Sequence, residues 1–246
     1  DYLMPTYDQV KDYVDRFDKP EEYVFLLTHI GGWVNPDIER IAILCKERGI
    51  SLIEDCAHSL GSLFKDKHTG LFGDAGVYSL YATKAIPVGE GGIIVTNNND
   101  LYEKTKKFAM YDRFDQELDI GINMRMSEIN ALLSYAVLQK IDEIIQNKYL
   151  IASRLIAACK KYGIEYIDPV RNFQRSNLYK FILLSRSNDP ILYFGKITKR
   201  TSPVYDYALG KDIFGISARH ICVPIWYGQS SAITEGIVKE ISEIKK

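Results

Sequence analysis

Little in this 246-residue chain is in excess, and several things are scarce. There are four cysteines (Cys45, Cys56, Cys159 and Cys222), far apart and without Cys-x-x-Cys or Cys/His spacing. That argues against a zinc site and a disulfide scaffold, and fits buried free thiols in a cytosolic protein. Charge of one sign is lacking too: 31 Lys and Arg face 32 Asp and Glu, so no strong field points to nucleic acid or an anionic membrane. The apolar runs are short, such as Val24-Phe25-Leu26-Leu27, whereas a membrane helix needs about 20 apolar residues. Asp1-Tyr2-Leu3-Met4-Pro5 has neither a basic nor an apolar segment, so no signal peptide is expected, and without an initiator Met the real N-terminus is expected to be missing or processed. No Gly-x-Gly-x-x-Gly follows any strand-like run, which leaves a nicotinamide-binding domain unsupported.

What is present reads as an α/β protein. Tyr23 to Thr28 is a continuous apolar run, as in a strand buried on both faces. Asn35 is placed to cap a helix opening at Pro36, with Ile38, Ile41, Ala42 and Cys45 at helical spacing and Gly49 past its end. Ser51-Leu52-Ile53 is the next strand, and strand–helix–strand with short joints predicts a parallel sheet. Ala75–Leu80 and Gly92–Thr96 read as further strands. Leu101, Thr105 and Phe108 mark a short helix. From Ser127 a long helix is predicted with Ile129, Leu132, Leu133, Ala136, Val137, Ile141, Ile144 and Ile145 on one face, running to about Lys161 with a possible bend before Gly163. Beyond Pro169 the composition shifts: a strand near Leu178–Leu184, an irregular stretch over 186–218, a strand over Arg219–Ile225 and a terminal amphipathic helix. The predicted division is a large domain over 1–147 and a small α+β domain over 148–246.

Chemistry concentrates around Lys84. It stands five residues after Ser79, between two predicted core strands, in a loop of Ala, Thr and Ile, with Gly89-Glu90-Gly91-Gly92 just beyond. Most lysines are solvated, but one held in such a loop has its pKa lowered and serves as a nucleophile toward a carbonyl. Asp55 ends a hydrophobic strand, where ligands bind in open α/β sheets; it suits a cationic partner such as a pyridinium nitrogen, and equally suits capping the next turn. His58, three residues on, is by itself as well read as a hydrogen-bonded structural histidine. The glycine turn opens a strand rather than a helix, so it is read as a tight turn needing positive φ and not as a phosphate site.

Together, Ile53-Glu54-Asp55-Cys56-Ala57-His58-Ser59-Leu60-Gly61, Phe72-Gly73-Asp74-Ala75-Gly76 through Lys84 to Asn97, and Gly121-Ile122-Asn123-Met124-Arg125-Met126-Ser127-Glu128 resemble the DegT/DnrJ/StrS family of pyridoxal-phosphate-dependent sugar-nucleotide aminotransferases. The resemblance implies the aspartate aminotransferase (type I) fold: a mostly parallel sheet flanked by helices, plus a small α+β C-terminal domain. It implies that Lys84 bonds the aldehyde of pyridoxal 5'-phosphate and shuttles a proton, and that Asp55 pairs with the ring nitrogen. It further implies that His58 packs on the ring, that Ser79 bonds the phosphate, and that Asn123 reaches the phosphate held by a neighbouring subunit. A homodimer follows, with glutamate as amino donor and a nucleotide-linked keto sugar as acceptor. Lysine, not histidine, at position 84 favours transamination over the dehydratase branch. Family chains begin with a helix that cradles the phosphate, and the resemblance implies that Asp1 corresponds to a position after that segment. A shortened, non-catalytic relative that binds a partner subunit or sugar nucleotide is therefore a second reading, and a type I enzyme acting on free amino acids a third.

Overall fold

The computed structural model describes residues 4–110, 121–171, 174–187, 189–204 and 215–244. The first half comprises α1 (Tyr7–Val14), β1 (Val24–Thr28), α2 (Ile38–Glu47), β2 (Ser51–Asp55), two-residue β3 (Leu63–Phe64) and β4 (Lys67–His68), β5 (Ala75–Ser79) and β6 (Gly92–Val95). Three helices follow: α3 (Asn99–Ala109), α4 (Glu128–Leu138) and α5 (Ile141–Tyr162). The last third adds β7 (Glu165–Tyr166), β8 (Val170–Arg171), β9 (Gln174–Arg175), β10 (Phe181–Leu184), α6 (Pro190–Tyr193), α7 (Ile216–Arg219), β11 (His220–Val223) and α8 (Ser231–Ser242). Residues 1–3 and part of the predicted irregular stretch, residues 188 and 205–214, lie outside the described residues.

The main sheet has the order β1-β2-β5-β6. β1, β2 and β5 are parallel, as the strand–helix–strand reading requires, but β6 returns antiparallel to β5, so the sheet is mixed. The reason is the connection: Leu80 N bonds Gly91 O and Ala82 N bonds Gly89 O, so residues 80–91 fold back on themselves as a hairpin-like loop with no helix to carry the chain across. One sheet face packs against α1 and α2 through Val10, Val14, Ile38, Ile41, Leu44, Leu27 and Leu52. The other face is open, with Val24, Leu26 and Ile94 each more than half exposed. Thr28, Asp55, Val77 and Ile94 are in register across the four strands, so the Asp55 side chain leaves the sheet on this open face.

Two local expectations are corrected. Asn35 does not cap α2: its Oδ1 accepts from the Asp37 N–H at 2.8 Å, making a turn, and the helix starts at Ile38. The single long helix predicted from Ser127 is two. Ser127 caps α4, the chain breaks at Gln139 and Lys140, and Asp142 and Glu143 open α5 where acidic groups favour a helix N-terminus. Splitting the helix splits the predicted apolar face. Ile144 and Ile145 are buried, whereas Ile129 and Leu132 on α4 are 80% and 71% exposed. Gly163 ends α5 in the left-handed region (φ 68°), as expected of a C-terminal glycine.

The C-terminal sheet β11-β10-β7 is antiparallel and packs on α5 and α8, with Ala152, Leu155, Phe181, Leu183, Ile237 and Ile241 in its core. α5 carries the chain through residues 147 and 148 without interruption. Two features tie the halves together: β3 pairs with β9, and Trp33 shares a buried cluster with Ile182, Leu184 and Cys222. All four cysteines are free and buried.

Candidate active site

β2 ends in two acids that point to opposite faces, and the sheet alternation gives them different fates. Glu54 is fully buried. Its carboxylate accepts from the N–H groups of Gly70, Phe72 and Gly73 at 2.7–2.8 Å and sits 2.9 Å from His29 Nε2. Burial alone would raise its pKa; the His29 contact and the loop amides outweigh that and hold it below the usual carboxylate range. The arrangement pins residues 70–73 beneath the end of β2. Cys56 lies close enough that His29, Glu54 and Cys56 offer donor atoms within 4.8 Å of one another. These donors do not suit a metal. Both Glu54 oxygens are already engaged, His29 Nδ1 accepts from Asn35 N at 3.4 Å, and burial pushes the Cys56 thiol up to about 12, where it stays protonated.

Asp55 faces the open side. Its Oδ1 accepts from Ala57 N at 3.0 Å, and Oδ2 has a long contact of 3.5 Å from Thr28 Oγ1. The turn-capping reading is thus realised, and the carboxylate retains capacity for a cation. Ser79 stands two residues beyond Val77, the register partner of Asp55, on the same sheet face, and its Oγ accepts from Tyr81 N at 3.3 Å.

Lys84 is held in the β5–β6 loop. Leu80 N bonds Gly91 O, Ala82 N bonds Gly89 O, and Lys84 N bonds Tyr81 O, all at 2.8–2.9 Å. Gly89 and Gly91 supply the positive φ (106° and 147°) that this tight return needs, as expected of them. Burial lowers the pKa of the Lys84 amine, Asp55 opposes the fall and Lys180 adds to it. Asp55 and Lys84 therefore lie within electrostatic reach of each other, on one side of the molecule.

His58 completes the group. Its Nδ1 accepts from Gly31 N at 3.2 Å, which assigns the proton of the neutral ring to Nε2. Burial, then the charge of Lys84, with Lys180 also contributing against Asp55, pushes its pKa down to about 4. The ring stacks on Tyr179, with centroids 4.3 Å apart and planes 19° from parallel. Tyr179 also carries Lys84 Nζ at 5.7 Å and Lys180 Nζ at 5.1 Å from its centroid. The seam between the halves fixes it there: Asn177 Nδ2 donates to His58 O and Leu60 O at 2.9 Å, and its Oδ1 accepts from Tyr179 N at 2.8 Å. Gly32 is needed at this seam, because φ is 86° and a Cβ would stand 2.3 Å from Asn177 Oδ1.

Asp55, His58, Ser79 and Lys84 are thus gathered at one end of the sheet. No described contact joins Asn123 to them: it is exposed, bridges Met110 in antiparallel fashion, and its Oδ1 accepts from Arg125 N and Nε at 3.3 and 3.1 Å. Sequence reasoning missed Tyr179, Lys180 and Lys148, which line a cavity of about 640 Å³ beside Lys84. The available signal was a lysine inside an apolar pattern, Lys180 before Phe181-Ile182-Leu183-Leu184 and Lys148 between Ile145 and Ile151. A carboxylate with spare capacity, a neutral flat imidazole and a partly desolvated amine fit a cofactor with a cationic ring nitrogen and an aldehyde.

Comparison with known proteins gives the same assignment. The family model of the DegT/DnrJ/EryC1/StrS aminotransferases matches residues 1–194. GDP-perosamine synthase of Escherichia coli O157:H7 is 39% identical over 154 residues, covering 61% of this chain and 41% of that protein. GDP-perosamine synthase of Vibrio cholerae is 33% identical over 262 residues, covering 94% of this chain and 68% of that protein. The crystal structure of the aminotransferase TlmJ from Streptoalloteichus hindustanus superposes with a TM-score of 0.81 at 22% identity, over 98% of this chain and 69% of that one. That likeness carries the pyridoxal-phosphate-dependent transferase fold expected from the sequence. Nothing in these similarities favours a non-catalytic relative. The chain belongs to the DegT/DnrJ/EryC1/StrS aminotransferase family, whose members depend on pyridoxal phosphate.

Proposed function

We propose that the protein transfers an amino group from glutamate to a nucleotide-linked keto sugar, with Lys84 and Asp55 as its catalytic residues. The observation that carries this reading is the placement of a partly buried Lys84 amine within reach of the Asp55 carboxylate at the end of the parallel strands. Pyridoxal phosphate, when bound, supplies the electron sink that lets the substrate carbon shed its proton. Asp55 would hold the cofactor's ring nitrogen protonated. Lys84 would bond the cofactor's aldehyde and afterwards carry the proton between carbons; burial helps by making the amine easier to deprotonate. His58, neutral and anchored by Gly31 and Tyr179, would lie against the ring as a flat wall that neither donates charge nor competes with Asp55. Ser79 would bond the phosphate.

Asn123 would act from the neighbouring subunit of a homodimer. Its exposure, with no described contact to the Lys84 group in one chain, supports that assignment, as does the apolar surface of α4, where Ile129, Leu132 and Tyr135 are exposed close after it in sequence. A large domain over 1–147 and a small one over 148–246, a cytoplasmic location and no nucleic-acid or membrane partner belong to the same reading. No helix among the described residues is long and apolar enough to cross a membrane.

The test is the first half of the reaction. Protein loaded with pyridoxal phosphate and given glutamate should form 2-oxoglutarate, and Lys84→Ala should form none. An enzyme for free amino acids would accept simple keto acids as readily as nucleotide-linked keto sugars, and that result would reject the substrate class. Absence of 2-oxoglutarate from the loaded wild-type protein would reject glutamate as donor.

A further inference from the structure

The cavity beside Lys84 has an unusual charge pattern. Four lysines line it, Lys84, Lys140, Lys148 and Lys180, and among the described residues no Asp or Glu does. Lys148 is the anomaly. It lies in the middle of α5, on the face that carries Ile145 and Ile151, and is 1% exposed. Among the described residues its ammonium has no hydrogen bond and no ion pair, yet it borders the cavity. Lys180 is also buried, held by Thr201 Oγ1 at 3.1 Å and Ser202 Oγ at 3.4 Å, again without an acid. Two buried lysines whose charges act on each other repel and forfeit hydration, so the pair is costly unless something anionic compensates. Burial, then the charge of Lys180, pushes the Lys148 pKa down to about 7.

The remaining walls suit a ligand with a charged end and a less polar body. Ala136, Val137, Ile144, Pro224 and Ile225 are apolar, and Tyr179, Trp226 and Tyr227 offer rings. Two acids act on residues of this lining without lining it themselves: Asp55 acts on Lys84, and Glu143 accepts from the Tyr227 hydroxyl.

We infer that Lys148 and Lys180 form an oxyanion subsite that takes a carboxylate of the amino donor or the diphosphate of the sugar nucleotide beside Lys84. The inference rests on the aminotransferase reading, which puts the reacting carbon at Lys84. A bound oxyanion supplies the missing countercharge, so Lys148 takes up a proton as the ligand enters near neutral pH. Among the described residues the titratable groups that share the cavity wall with Lys148 are Lys180, just before β10, Lys84 and Lys140 from the two loops, and Tyr179 and Tyr227; Cys222 acts on Lys180. No carboxylate is among them, so a bound oxyanion is the fitting countercharge.

The experiment is calorimetric titration of the pyridoxal-phosphate-loaded protein with two unreactive probes, glutarate and inorganic pyrophosphate, in two buffers of different ionisation enthalpy. Binding of glutarate alone assigns the subsite to the donor carboxylate, and binding of pyrophosphate alone assigns it to the diphosphate. For the probe that binds, Lys148→Met and Lys180→Met should each weaken affinity roughly 10- to 100-fold, the effect of one charge-assisted hydrogen bond. Lys148→Arg should restore most of it, and the proton uptake seen with wild type at pH 7.5 should vanish in Lys148→Met. Lys148→Met should also melt no lower than wild type, because it removes an unpaired buried charge. Failure of both probes to bind, or equal affinity in Lys148→Met, overturns the subsite. Covalent trapping of the cofactor on Lys84, measured in the same samples, is independent: its loss sinks the enzyme reading, whereas its persistence without anion binding sinks only the subsite.

Discussion

Replacing Glu54 by Gln probes the element that aims Asp55. The carboxylate of Glu54 receives three backbone N–H groups and faces His29, all inside a dry environment. Glutamine keeps the shape but replaces one acceptor oxygen by an NH2 group. At least one loop amide, or His29 Nε2, then meets a donor instead of an acceptor, and the anion that the site was built around is gone. Losing a buried hydrogen bond to a charged acceptor costs about 1.5–3 kcal/mol. For a chain of this size each kcal/mol lowers Tm by roughly 2–4 °C, so a fall of roughly 3–12 °C is expected. Thermal unfolding followed by circular dichroism at pH 7.5 measures it. The pH dependence gives a second check with a definite sign. Because the folded Glu54 carboxyl is held below its unfolded value, its contribution is complete above the ordinary carboxylate range and is lost as pH falls through the lower folded pKa. Wild type should therefore lose stability on acidification more steeply than Glu54→Gln. A Tm within about 2 °C of wild type, with the same acid slope, would refute the role given to this cluster, since that is less than the 1 kcal/mol equivalent.

Asp55→Asn should leave cofactor bound but slow transamination roughly 10²- to 10³-fold, as for removal of one key electrostatic group; near-wild-type turnover in a steady-state assay would reject its pairing with the ring nitrogen. His58, with its pKa near 4, should show no titration of its ring proton resonances between pH 8 and about 5.5, and Tyr179→Ala should move the transition back toward the ordinary histidine range. A normal His58 titration in wild type would show that the ring is not enclosed as described. Since the folded pKa lies below the unfolded one, His58 also favours folding above about pH 6.5 and loses that contribution as pH falls toward 4.

The parts of this site legible in the sequence were those fixed by local pattern. The strand carrying Glu54 and Asp55 is an apolar run with a clear end, and the Lys84 loop is bracketed by glycines whose conformations only a tight return explains. The family likeness supplied the remaining roles. Long-range effects were not legible. The antiparallel turn of β6 depends on how residues 80–91 fold back, which periodicity does not report. Tyr179 reaches His58 only because Asn177, more than a hundred residues downstream of His58, bonds the backbone at His58 and Leu60. The α4 face reads as core by spacing and lies exposed in the single chain, because amphipathic pattern records that a surface is apolar and not what covers it.

The central claim is that the Lys84 amine, with Asp55 behind it, is where the cofactor's aldehyde bonds. Treating the protein with pyridoxal phosphate and then borohydride, followed by peptide mapping, should place the phosphopyridoxyl mass on Lys84, with Lys84→Ala unlabelled at stoichiometric cofactor. Label spread over surface lysines, or a specific label on any residue other than Lys84, would contradict the account.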